Sequence, residues 1–185
     1  MITVHIWYPL NTPLEDPTTL LFDDLYPLPI PNRPEPFRRW GHAGIEFANV
    51  TSESGRPYAN GYRAFWPAAG ADWQRPQPGR IIDEMDFDVR EERSDPSRSI
   101  VLHTGLNEAL IYRYWDSLTR QPLDYSNTGF NCCGAVAVSV GDGFSAVQRG
   151  LMPPISFAGG YIPIGYSNPY ALEDWVDDVN AVLAR

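Results

Sequence analysis

Asn131-Cys132-Cys133-Gly134-Ala135-Val136-Ala137-Val138 is the stretch on which the fold turns, and it holds both cysteines of the 185-residue chain. Two readings of it compete. Val136, Val138 and Val140 are β-branched and suit a buried strand. The same residues as a helix would be apolar nearly all round, hence buried, with Gly141 or Gly143 as the stop. Periodicity alone does not separate the two. In either case the thiols stand where the core begins.

The elements around this stretch are plainer. Residues 2–8 alternate and are rich in β-branched and aromatic side chains, so they read as a strand. Residues 41–50 read as a second strand and 58–66 as its partner, with a turn around Ser54-Gly55 and a stop at Pro67. Ser99-Ile100-Val101-Leu102-His103 reads as a third. Thr104 is read as the cap of a helix over 105–119, in which Leu106, Leu110, Tyr114 and Leu118 recur every four residues with Ala109 and Trp115 beside them. Gln121 to Gly129 is a polar linker. Asn168-Pro169 opens a last helix, its inner face Leu172, Trp175, Val176, Val179, Val182 and Leu183. Residues 9–37 are dense in proline and read as irregular chain, a surface excursion or a cover for a substrate. Residues 150–166 are loop or short strand. The acidic run from Asp83 to Asp95 reads as a solvated loop.

Composition narrows the function. Hydrophobic residues make up 43% and charged residues 20%, an ordinary globular balance. One domain spanning 1–185 is the simplest organisation. The net charge of −9 comes with scattered arginines. Nucleic-acid binding needs clustered cations and is not expected. The N-terminus lacks the pattern of a classical export signal. No run approaches the ~20 apolar residues of a membrane span, so no stable insertion is expected. Two adjacent thiols form no disulfide framework and fit a reducing compartment.

The chemistry rests on Cys132 and on His42 in Gly41-His42-Ala43-Gly44-Ile45-Glu46-Phe47. A free thiol titrates at about 8.5, and both a helix N-terminus and a nearby imidazolium lower that value. Cys132 in the first turn of a helix, facing His42 on a strand, would meet both conditions. First-turn amides could hold the oxyanion formed on attack at an acyl carbon. Imidazole is the usual proton shuttle near neutral pH. The pair is expected within contact, at a crevice that solvent enters. Each residue also has a plainer reading: a buried cysteine is commonly an inert small hydrophobe, which is how Cys133 is read, and His5 and His103 read as strand packing. Three histidines and two cysteines could in principle hold zinc, but no CxxC or HxxxH spacing supports it. There is no GxSxG elbow and no phosphate-cradling glycine loop.

The order Gly-His-Ala-Gly-Ile-Glu-Phe, then Tyr62-Arg63-Ala64-Phe65-Trp66-Pro67, then a Gly-Leu-led helix, then Tyr125 and Asn131-Cys132 before an apolar segment ending in glycines, resembles the circularly permuted papain-fold cysteine hydrolases. These are similar to NlpC/P60-type enzymes with His preceding Cys. The resemblance covers roughly residues 41–145. It implies an α+β papain-like domain, an antiparallel sheet packed against a helix that carries the nucleophile. Cys132 would attack and His42 would act as base, cleaving an amide or related acyl bond of a protein or peptide without a metal or organic cofactor. Family members add a third polar residue that orients the His; Glu46, Asn60 and His103 are the candidates here. The resemblance further implies a bacterial toxin or effector domain, held in the cytoplasm before delivery by a specialised secretion machine, with a cognate immunity protein as partner. Acyl transfer, deamidation and a non-catalytic binding module of the same fold are the rival expectations.

Overall fold

In the computed structural model, residues 1–8, 41–52, 54–68, 76–126, 130–145 and 169–184 are described. The stretches 9–37 and 150–166, read above from the sequence, lie wholly outside them. The architecture is α+β. Six strands form one open sheet in the order β5-β1-β2-β3-β4-β6, and every neighbouring pair is antiparallel. The strands are β1 (Ile2–Trp7), β2 (His42–Phe47), β3 (Gly61–Pro67), β4 (Gln77–Ile82), β5 (Arg98–Val101) and β6 (Asp124–Tyr125).

Alternation along the central strands gives the sheet two apolar faces. Ile2, Val4 and Ile6 of β1, with Ala43, Ile45 and Phe47 of β2 and Phe65 of β3, point to the main core. Helix α3 (Cys132–Asp142) lies in that core, with α2 (Glu108–Arg120) and α4 (Pro169–Leu183) packed against it. The ambiguity of the cysteine segment resolves as a helix. Its surface explains why: residues Cys132 to Ala137 and Val140 are buried, so a helix can bury the valines as fully as a strand would. Asn131 starts it, its side chain accepting from the Gly134 amide at 3.0 Å. That cap satisfies one of the amides every helix start leaves without an intrahelical partner.

The opposite face carries His5 and Trp7 of β1, His42 and Gly44 of β2, and Tyr62, Ala64 and Trp66 of β3. It is covered by α1 (Met85–Glu92), whose Met85 and Val89 pack on Trp7, Tyr62 and Ala64. Here the reading of 83–95 as a solvated loop is corrected. The run is charged, but Asp88 and Glu92 are buried, and only the other acidic residues face water.

Three smaller corrections follow. The cap of α2 is Asn107, which accepts from the Leu110 amide at 3.1 Å, and not Thr104. The buried stripe of that helix is Ala109, Ile111, Trp115 and Leu118, so Leu106, Leu110 and Tyr114 flank it rather than form it. Within the stretch read as linker, Asp124–Tyr125 pairs with Gln77 and Pro78 of β4. The last helix begins at Pro169, with Leu172, Trp175, Val176 and Val179 buried and Val182 and Leu183 at its half-buried end. It also closes the β5 edge, for the Asn180 amide group donates to Val101 O and accepts from His103 N at 3.0 and 2.9 Å.

Candidate active site

Cys132 is the first residue of α3 and His42 the first of β2. Gly41 supplies the turn before the histidine with φ 73°, a left-handed conformation that favours glycine. The two side chains are electrostatically linked: each shifts the pKa of the other through charge and hydrogen bonding. The two sequence-expected residues are therefore brought together.

The thiol sits in surroundings that favour its anion. A hydrogen bond from the Cys133 side chain is the largest influence, and it lowers the Cys132 pKa. Burial pushes the other way. The charge and hydrogen bond of His42 and the Ala43 backbone amide add to the lowering, and the balance lies well below the ordinary thiol value. For His42, burial is the largest influence and disfavours the imidazolium. The charges of Asp88 and Cys132 outweigh it and hold the imidazole well above its ordinary value. Both shifts run in the direction that favours a thiolate beside an imidazolium.

The third residue is Asp88, from α1. Its Oδ2 lies 2.8 Å from His42 Nε2. The contact is an ion pair, not a well-aligned hydrogen bond. None of the three expected orienters reaches the imidazole. Glu46 bonds His5 Nε2 at 3.1 Å, Asn60 accepts from the Asn49 amide at 2.7 Å, and His103 is exposed, its backbone held by Asn180. The reading of His103 as strand packing is likewise corrected. His5 is buried, between Ser99 Oγ at 2.8 Å and Glu46. Cys133 is buried as expected of a small hydrophobe, and its thiol is the largest influence lowering the Cys132 pKa.

Tyr125 completes the surroundings of the sulfur. Its hydroxyl donates to Cys132 Sγ at 3.9 Å. Burial, then the neighbouring Cys132 and Cys133, raise the phenol pKa well above its ordinary value, so it remains a donor.

The pair is more enclosed than the expected crevice. Cys132 is 4% and His42 2% exposed. Trp66 and Trp7 lie against the imidazole, with ring centroids 4.5 and 5.7 Å away, and Tyr125 and Phe130 share the core cluster of Cys132. Among the described residues no group of three or more His, Cys, Asp or Glu is placed to hold a metal ion, and no helix is long and apolar enough to cross a membrane. No protein-family model, no curated protein and no solved structure matches the chain.

Proposed function

We propose that the protein is a thiol hydrolase of permuted papain-like type, acting on an amide, isopeptide or related acyl bond. The observation that carries this reading is the electrostatic link between Cys132 and His42 while Asp88 pairs with the same imidazole. A packing cysteine needs neither partner.

The chemistry follows from the geometry. The Cys132 thiolate attacks the carbonyl carbon, and the carbonyl π pair moves to oxygen. The Cys132 amide, in the first turn of α3, and the Tyr125 hydroxyl, 3.9 Å from the sulfur, donate to that oxyanion. When the intermediate collapses, the C–N bond breaks and the amine leaves with the proton of the His42 imidazolium. Water then attacks the acyl–sulfur bond, His42 takes its proton, and the thiolate is released. Asp88 stays a carboxylate throughout, fixing the ring and favouring its charged form.

The substrate class proposed is a protein or peptide, as expected of a toxin or effector domain. Mass spectrometry of candidate substrates after exposure to the native protein and to Cys132→Ala tests the reading. A mass change equal to added water that requires Cys132 supports hydrolysis. The same products from Cys132→Ala would refute it.

A further inference from the structure

Asp88 is fully buried, and an aspartate there needs donors. Two groups donate to it, the Tyr62 hydroxyl to Oδ2 and Trp66 Nε1 to Oδ1 at 2.7 Å, and His42 is its ion-pair partner at Oδ2. Tyr62 and Trp66 come from alternate positions of β3, on the face that α1 covers. Burial, then the Asp88 charge, push the Tyr62 phenol well above its ordinary pKa, so the hydroxyl keeps its proton.

The tyrosine can make that bond because of a residue on the next strand. In the β2–β3 register Tyr62 faces Glu46 and Gly44 faces Ala64, so Gly44 is the diagonal neighbour of Tyr62, within reach of an aromatic ring. A Cβ at position 44 would overlap the Tyr62 hydroxyl and ring. The missing side chain is the passage through which Tyr62 crosses β2 to reach Asp88.

We infer that Tyr62, admitted by Gly44 and assisted by Trp66, is a positioning residue that fixes the Asp88 carboxylate against His42 and so sets the charge state of the Cys132–His42 pair. This rests on the functional reading above. It assigns work to Gly44 and Tyr62, two residues outside the Cys132, His42 and Asp88 set. With the hydroxyl removed, Asp88 loses one of its donors and the freedom to turn off the imidazole is restored. The imidazolium weakens, and the thiolate weakens with it.

The test needs no substrate. Iodoacetamide alkylation of Cys132 is followed from pH 5 to 9 in the native protein, in Tyr62→Phe, which keeps the ring, and in Gly44→Ala, which keeps every polar group but blocks the passage. Thermal melts confirm folded protein. The expected result is a rise in the alkylation midpoint in folded Tyr62→Phe, Gly44→Ala or both. The rate at pH 6 should fall by about threefold or more, part of the roughly tenfold that one lost bond to a charged group represents. A native protein that reacts well below pH 8 beside folded variants with the same profile would overturn the inference and leave the hydrolase reading standing. A native protein that reacts only above pH 8 overturns both.

Discussion

His42 Nε2 stands 2.8 Å from Asp88 Oδ2, and the two side chains are 3% and 0% exposed. An imidazole sealed beside a carboxylate is held in one orientation and is favoured in its charged form. Asp88→Asn keeps the shape and removes the charge. The Asp88 charge raises the His42 pKa, so its loss moves the basic limb of the pH–rate profile to lower pH. A fall in kcat of at least about tenfold is expected, one pH unit being worth about 1.4 kcal/mol. A profile and kcat matching the native protein would remove Asp88 from the site.

Cys133 is the largest single influence lowering the neighbouring thiol. Cys133→Ala removes a donor and no charge. The Cys132 midpoint should rise, cutting alkylation at pH 6 by roughly three- to tenfold. The His42 limb should move less, because Asp88 remains. Quantified labelling of Cys132 by mass spectrometry reads this directly.

Tyr125 is assigned to the oxyanion. Tyr125→Phe keeps the ring packed against Phe65, whose centroid is 5.4 Å away, and deletes only the hydroxyl. By analogy with other oxyanion donors kcat should fall by about 10²-fold with KM little changed. Steady-state kinetics on any substrate found for the native protein checks the split.

Asn131 joins stability to reactivity. Asn131→Ala loses the bond to the Gly134 amide, a cap worth about 1 kcal/mol, or roughly 2–4 °C in Tm for a chain of this size. The first turn carries Cys132, so the alkylation rate should fall together with the melting temperature.

Much of this was readable from local pattern. Alternation marked β1, β2 and β3, and Pro169 marked the start of α4. Chain order and the Asn-Cys step pointed to Cys132 and His42. What could not be read depends on contacts between distant segments. The helical state of the Cys132 segment follows from its burial on all sides, which valine propensity opposes. β4 was missed because Pro78 and Gly79 look like a break, although Gly79 is the place where the Phe65 ring packs. Asp88 was missed because an acidic run looks solvated. His42, Tyr62 and Trp66, all more than twenty positions upstream, make a buried carboxylate tolerable there. The enclosure of the pair likewise comes from Trp7 and Trp66 meeting His42 across three strands.

The central claim is that Cys132 rests as a thiolate paired with the His42 imidazolium. The most direct measurement is the pH dependence of iodoacetamide labelling in the native protein, with the modified residue identified by mass spectrometry. The account predicts labelling at Cys132 with a midpoint well below the free-thiol value of about 8.5, and loss of that low midpoint in His42→Ala. Labelling that rises only near pH 8.5, or a low midpoint that survives in His42→Ala, would contradict it.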